Sequence, residues 1–525
     1  MAVRENCHYL GSVYSNLFET PTKETAIVAG DKRFSYEELG GAVFDYSKVI
    51  RESIPCDSVN EKPVVAICLP KSPEFIFCVL ACAFLGYIWV PIDQEAPARR
   101  INYQIDNCRA DLIISEQGKF RTPSVRHLFI ENVERREIQS VSDLQVSQTL
   151  SRDVAYYLYT SGSTGNPKCV ALNHEATNHV FELTVREWDL SSLDVFIAVT
   201  PFHHDMSLFD IFVPLSLGAT LVIPVLSETK NPQAWAELVE KNKVSIWVSV
   251  PAIVEMLYAL ANPEQLKSIR LIAQGGDTVS TKLVNKIRGF NSEMRLYSLG
   301  GPTETTIWSI WHEISRNDQE IIPYGTALSG NCYVILDENM NPCLVGQIGT
   351  MYVGGINLSN GYVSEGELSE SEFVEVFLPC VSGDSSRVSK VMTKLYKTSD
   401  TGYFRQDGKL IFAGRKDDYI KFNGVRISAY EVELAIQEIN EVARAIVVAV
   451  DNPMHDDVQE LVAFYILKAG LKLKSDFLLR NQLKHILPDS HIPTRWMAMN
   501  FFPLTVNGKV DRKQLRNIAR IRLSA

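Results

Sequence analysis

The chain has no paired CxxC spacing, no basic block, no uncharged stretch long enough to cross a bilayer with ease and no internal repeat, and each absence removes a class of function. Its 10 cysteines are scattered without zinc-finger spacing. That excludes a disulfide scaffold and a structural zinc module, and in a reducing compartment they are expected to be free thiols, mostly in the core. The net charge of -10 comes from interspersed acids, which argues against nucleic acid as a partner and favours solubility. The N-terminus, Met1-Ala2-Val3-Arg4-Glu5-Asn6-Cys7-His8, carries one charge of each sign and lacks the apolar core of a secretory signal. A cytoplasmic protein is expected. Phe75 to Pro91 is uncharged, but its 17 residues are marginal for a span, and Gly86 divides a helical half from the strand-like Tyr87-Ile88-Trp89-Val90. A buried helix followed by a core strand is expected, with no membrane contact.

What is present is ample apolar material, 46% of 525 residues, enough for two to four domains at about 100 to 200 residues each. From Thr25 to Ser115 short apolar strands alternate with helical stretches: Ala26 to Ala29, Tyr36 to Arg51, Val64 to Cys68, Pro73 to Leu85, Leu112 to Ser115. Such alternation predicts crossover connections and a mainly parallel sheet. Strands at Val195 to Val199, Thr220 to Ile223, Ser245 to Ser249 and Arg270 to Ala273, with helices Pro232 to Glu240 and Thr281 to Gly289, continue it. After about residue 330 short glycine-punctuated segments predict a β-rich subdomain, with Val381 to Lys390 a mobile surface insertion. The last part reads as helix Ala429 to Glu438, strands Arg444 to Asp451 and Leu461 to Leu467, and helix Ser475 to Leu487.

Directly after the apolar run Ala155 to Tyr159 comes Thr160-Ser161-Gly162-Ser163-Thr164-Gly165-Asn166-Pro167-Lys168. Glycines let the backbone turn inward, so amide N–H groups and hydroxyls can point at one anion while Lys168 supplies charge. It is not a Walker A loop, because Asn166-Pro167 separates Gly165 from Lys168; alone it also fits an ordinary surface turn. It is accompanied, in order, by Phe34-Ser35-Tyr36-Glu37-Glu38-Leu39, Gly301-Pro302-Thr303-Glu304-Thr305, Thr398-Ser399-Asp400-Thr401-Gly402, Gly414-Arg415-Lys416-Asp417-Asp418 and Asn507-Gly508-Lys509-Val510-Asp511-Arg512. Together these blocks resemble the adenylate-forming superfamily, and most closely the free-standing amino-acid adenylation domains of nonribosomal peptide synthesis.

The resemblance implies a large N-terminal α/β domain with a β-rich subdomain, 1–415, and a small mobile α+β C-terminal domain, 416–525, hinged at Asp417. It implies ATP and Mg²⁺ as cofactors and two steps: a carboxylate attacks the α-phosphorus of ATP, then the acyl group passes to the phosphopantetheine thiol of a separate carrier protein. Positioning and cations dominate such chemistry. By the family pattern Thr160 and the Ser161 to Lys168 loop hold the β- and γ-phosphates, Thr303 touches the α-phosphate, Glu304 binds Mg²⁺, and Lys509 bridges the two reacting anions. Glu304 as a helix-capping residue is the plain alternative. Asp400 accepts the ribose hydroxyls, Arg415 braces the ribose, and the adenine lies along Gly275-Gly276-Asp277. Lys421, Gly424 and Arg426 turn toward the thiol in the second step. Two departures stand out: Cys169 where glycine usually follows the lysine, and Gly300 where the family usually has an adenine-stacking aromatic, for which another aromatic such as Tyr297 is a candidate substitute.

The substrate choice turns on Asp205, in Phe202-His203-His204-Asp205-Met206-Ser207. In amino-acid activators an aspartate here binds the substrate ammonium, and a buried carboxylate calls for a cation; a helix N-cap before Met206 is the alternative. The pocket expected by alignment comprises Met206, Phe209, Val248, Ile272, Gln274, Leu299, Gly301, Ile307 and Trp308. Trp308, Leu299 and Gln274 would fill its floor, leaving room for a small amino acid. An acyl- or aryl-CoA ligase is the alternative activity, and a non-enzymatic relative is the third reading.

Overall fold

A computed structural model describes residues 8–54, 62–118, 125–133, 153–160, 167–381, 388–415, 419–422, 425–451, 459–468, 470–471, 475–484, 487, 491–505 and 509–524. They form two compact units, 1–333 with 353–397, and 334–352 with 398–525.

The larger unit holds two sheets. A nine-stranded sheet runs in the order Thr326–Ala327, Ile310–Glu313, Arg295–Gly300, Leu271–Gly275, Ile246–Ser249, Val195–Ile197, Thr220–Ile223, Thr25–Ala29, Lys32–Ser35. The pairs from Arg295–Gly300 through Thr25–Ala29 are parallel and the outer ones antiparallel. An eight-stranded sheet runs Glu367–Ser369, Gly361–Ser364, Lys168–Asn173, Val154–Thr160, Ile88–Pro91, Val64–Cys68, Leu112–Ser115, Arg126–Phe129. The expected alternation therefore divides between two sheets. Strand periodicity is the same whichever sheet receives the strand, so only long-range pairing reveals the division.

Alternate residues of the nine-stranded sheet serve different cores. Phe196, Ile246, Val248, Leu271, Ala273, Tyr297 and Leu299 belong to a central core, whereas Ile197, Trp247, Ile272 and Leu296 join an outer core with Trp235, Val254 and Leu283. The central core also takes the helix Tyr36–Ser53, whose N-terminus is a capping box between Ser35 and Glu38. It takes the helix Pro73–Leu85 as well, which starts from a Ser72 cap with proline at N1 and stops at Gly86, φ 74°. That helix is apolar on every side because it is buried on every side, and the strand Ile88–Pro91 follows, as expected. No described helix is long and apolar enough to cross a membrane, and the described cysteines are free.

The strand Phe373–Val381 pairs antiparallel with the first half of Val388–Phe404. The segment expected to be a mobile insertion is thus strand at both ends; residues 382–387 lie outside the described set. In the smaller unit Val442–Asp451, Gln459–Leu467 and Arg495–Ala498 make a three-stranded sheet. Its two faces carry separate cores, one closed by the helix Ala429–Gln437 and the other by Arg512–Ser524.

Candidate functional site

Asp205 stands immediately before the helix Met206–Leu217 and is 6% exposed. Its Oδ1 accepts the Met206 N–H at 2.8 Å, so it does cap the helix. Its Oδ2 accepts the hydroxyl of Thr303 at 2.7 Å, across 98 residues of sequence. His204 Nδ1 lies 2.9 Å from Oδ1, within ion-pair distance when the imidazole is protonated. The cap alternative and the pocket expectation are therefore not exclusive: one carboxylate anchors the helix start and holds the loop that carries Glu304.

That loop is fixed by many bonds. Thr306 and Ile307 both have left-handed backbone, φ 55° and 61°, a strained state for β-branched residues. The Thr306 hydroxyl donates to Asn357 O, Asn357 Nδ2 donates to Trp308 O, Ser309 N to Gly300 O, and the Thr305 and Ser309 hydroxyls meet at 2.8 Å. The strain delivers Ile307 and Trp308 into the central core. Trp308 stacks on Trp188 with centroids 5.8 Å apart, meets Phe209 at 5.2 Å, and donates its indole N–H to Thr184.

Glu304 is 7% exposed and its Oε1 accepts the Tyr362 hydroxyl at 2.6 Å. Tyr362 also meets the Tyr396 hydroxyl at 3.1 Å, and Lys168 Nζ lies 5.0 Å from the Tyr362 ring centre. Burial, reinforced by the Glu304 carboxylate, pushes the Tyr362 hydroxyl far above the usual tyrosine range, which keeps it a donor. Lys168 opens the strand Lys168–Asn173 and pairs with Glu372 at 3.1 Å, with 37% and 41% of the two side chains exposed. Thr160 ends the strand opposite, its Cα partnered with that of Lys168; Ser161, Gly162, Ser163, Thr164 and Gly165 lie outside the described residues.

The strand Leu271–Gly275 corrects the expected pocket. A Cβ at Gly275 would lie 3.2 Å from Leu299 Cβ and 3.4 Å from Met206 Sδ, and Met206, Phe209, Val248, Ala273, Leu299, Ile307 and Trp308 share the central core. Ile272 and Gln274 do not line that side. Ile272 packs in the outer core, and Gln274, two residues on, has the same strand parity. It is in register with Ser249 and Ser298 and fully buried, with neither amide atom hydrogen-bonded. On that face the strand presents Ala273 and Gly275 instead, because a shift of one residue along a strand reverses the face. Tyr297 is also unavailable as a base-stacking substitute: it is 0% exposed, packs on Trp188, and donates to Glu187.

Two titratable groups that sequence reading missed, Lys71 and Asp210, lie within electrostatic range of each other without forming an ion pair. Lys71 Nζ donates to Ala198 O at 2.6 Å and sits 5.2 Å from the Phe202 ring centre. Burial lowers its pKa to about 7, opposed by the charge of Asp210. Asp210 is 1% exposed with Oδ2 unpaired, and burial raises its pKa, opposed by Lys71.

In the smaller unit Asp400 and Arg415 are ladder partners, with Arg415 Nε 3.1 Å from Asp400 Oδ1. Lys509 is exposed, and its carbonyl accepts the Thr505 N–H at 2.7 Å. The following helix is pinned by a bidentate pair of Arg512 with Glu433, at 2.6 and 2.9 Å. Lys421 lies in the strand Tyr419–Phe422; Lys416, Asp417, Asp418, Gly424, Asn507 and Gly508 lie outside the described residues.

Residues 15–363 match the model of a family described as "AMP-binding enzyme". The chain belongs to the AMP-binding enzyme family. Among curated relatives of this AMP-binding enzyme, Gramicidin S synthase 2 of Brevibacillus brevis is 29% identical over 503 residues, 95% of the chain and 11% of the relative. Surfactin synthase subunit 1 of Bacillus subtilis (strain 168) is 30% identical over 502 residues, 93% of the chain and 13% of the relative. The chain thus spans about a tenth of the length of these relatives. In fold it resembles Klebsiella oxytoca NpsA, solved with 3-hydroxyanthranilyl-AMSN, at TM-score 0.80 and 22% identity over 97% of this chain and 99% of that one. It resembles holo-AB3403, a four-domain nonribosomal peptide synthetase bound to AMP and glycine, at TM-score 0.79 and 23% identity over 97% of this chain and 36% of that one.

Among the described residues of the AMP-binding enzyme no group of three His, Cys, Asp or Glu side chains converges to hold a metal. A single buried carboxylate, Glu304, suits Mg²⁺, which keeps several waters and phosphate oxygens in its coordination shell.

Proposed function

We propose that this chain activates a small amino acid with ATP as its aminoacyl-adenylate and passes it to the phosphopantetheine thiol of a carrier protein. The observation that carries the reading is the bond from Thr303 to Asp205. It sets a buried carboxylate against the loop that presents Glu304, so an acid bound at Asp205 through its amine has its own carboxylate directed toward the nucleotide. The relatives are peptide synthetases, and one fold neighbour holds AMP with glycine. An ammonium is the cation that a buried aspartate recruits most economically when the ligand supplies it.

In this reading Lys168 leaves Glu372 to hold the β- and γ-phosphates, and Thr303 contacts the α-phosphate. Glu304 would hold Mg²⁺, which would supply positive charge against the phosphates. Lys509 neutralises the approach of substrate carboxylate to α-phosphorus, and pyrophosphate leaves. Asp400 accepts the ribose hydroxyls, with Arg415 beside it. In the second step the thiol sulfur attacks the acyl carbonyl and AMP departs, with Lys421 serving this step. Met206, Phe209, Leu299 and Trp308, all in the central core, are the residues taken to bound the side-chain space, and their bulk favours a substrate with a short side chain.

Amino-acid-dependent exchange of labelled pyrophosphate into ATP tests the reading. Exchange with one or a few small amino acids supports it, and no exchange with any amine-bearing acid ends it. Thioester formation on free CoA would instead favour the acyl- or aryl-CoA ligase alternative.

A further inference from the structure

The strand Arg295–Gly300 ends where the Thr303 loop begins, and the side-chain space at its last position is already filled. A Cβ built on Gly300 would lie 2.0 Å from Tyr324 Cε2 and 2.2 Å from Cζ. Residue 300 and the Tyr324 ring therefore exclude each other. The ring is held from three directions. Its hydroxyl accepts the Gly301 N–H at 2.7 Å. Tyr333 meets it edge-on, with centroids 6.3 Å apart and planes at 89°, and is itself fixed by the Ser309 hydroxyl at 2.8 Å. The next residue, Gly325, runs so close to the strand Ile310–Glu313 that a Cβ there would lie 1.9 Å from Trp311 O.

Tyrosines that only fill a core are sealed, as Tyr297 is at 0% exposure; Tyr324 keeps part of its surface open. Gly275 and Leu299 are register partners, so the chain leaving Gly275 into Gly276 runs beside Gly300. Two neighbouring strands thus end in glycine, Gly275 and Gly300, beside an anchored aromatic ring and just before Thr303 and Glu304 in the chain.

We propose that Tyr324 is the nucleotide-base platform of this chain, the ring on which the purine of ATP stacks, in the space that a side chain at position 300 would otherwise occupy. The proposal rests on the ATP-dependent function above. Every base presents a π face to an aromatic side chain, and removing such a ring typically weakens binding by roughly ten- to a hundredfold.

Equilibrium binding of ATP and of inorganic tripolyphosphate to the full chain separates a base platform from a structural ring. Tyr324→Leu is expected to weaken ATP by roughly ten- to a hundredfold while tripolyphosphate binding holds, and Tyr324→Phe to keep most of the ATP affinity. Gly300→Tyr combined with Tyr324→Ala moves the ring to the neighbouring backbone position and is expected to restore ATP binding to within several-fold of the unaltered chain. Equal losses for both ligands in Tyr324→Leu, or unchanged ATP affinity, overturn the platform. Should Tyr324→Leu fail to fold, failure of the folded double variant to bind ATP overturns it. Absence of ATP binding by the unaltered chain removes the proposed function together with the platform, whereas ATP binding that ignores the ring removes the platform alone.

Discussion

Asp205 and Lys168 are the two charged groups on which the proposed chemistry leans most in the larger unit, and they are held in opposite ways. Asp205 is 6% exposed and accepts from the Met206 amide and the Thr303 hydroxyl, beside a loop whose strained Thr306 and Ile307 are fixed by surrounding bonds. Lys168 is more than a third exposed and pairs with one carboxylate, Glu372, that is equally open. The difference teaches which groups act by being fixed in advance and which act by exchanging partners. A preorganised dipole or charge costs no rearrangement when the substrate arrives. An exposed pair is worth about 0 to 1 kcal/mol and exchanges readily for a phosphate.

The comparison breaks most severely at Asp205. Asp205→Ala removes the charge proposed to receive the amine, and pyrophosphate exchange is expected to fall by about a thousandfold, the equivalent of breaking a buried ion pair at about 3 to 5 kcal/mol. Retained activity in a folded variant would remove Asp205 from substrate recognition. Next comes Lys71, on the rigid side of the comparison. Lys71→Met removes the charged hydrogen bond to Ala198 O and the charge that opposes the burial of Asp210, and is expected to lower unfolding stability by about 1.5 to 3 kcal/mol in denaturant titration, whereas Lys71→Met with Asp210→Leu recovers part of the loss. A double variant as unstable as the single one would show that the two groups are not coupled.

Thr303→Val sharpens the contrast at smaller scale. It deletes one hydroxyl bond to a carboxylate, worth about 1.5 to 3 kcal/mol, and is expected to raise the KM for the amino acid as well as lower kcat, while Thr303→Ser preserves both. The smallest effect belongs to the exchangeable pair: Glu372→Gln frees Lys168 and is expected to change ATP affinity by no more than about fivefold. A larger loss would place Glu372 among the groups that position the nucleotide.

Much of the architecture was legible in the sequence because it rests on local rules. Ser35 with Glu38, Ser72 with Pro73, and Gly86 mark helix ends by capping chemistry that needs no tertiary context. The strands Val64–Cys68, Leu112–Ser115 and Thr220–Ile223 have the ends that their apolar runs predicted. The candidate site was legible only in part. Motif blocks locate Asp205, Thr303 and Glu304, but the partners Tyr362 and Tyr324 come from 58 and 23 residues away in sequence from the atoms they bind. The exchange of Ile272 and Gln274 for Ala273 and Gly275 has a simpler cause: a strand has a period of two, and a one-residue offset reverses every side chain. The signal was present in neighbouring strands, where Val248 and Leu299 already fixed the parity of the pocket face.

The central claim is that Asp205 selects acids by their amine. It is tested most directly by comparing pyrophosphate exchange for glycine, alanine and serine with exchange for acids of the same carbon skeleton that lack the amine, at equal concentrations. The account predicts exchange only with amine-bearing acids, and with it a collapse of that preference in Asp205→Ala. Equal exchange with propionate and alanine by the unaltered chain would contradict it.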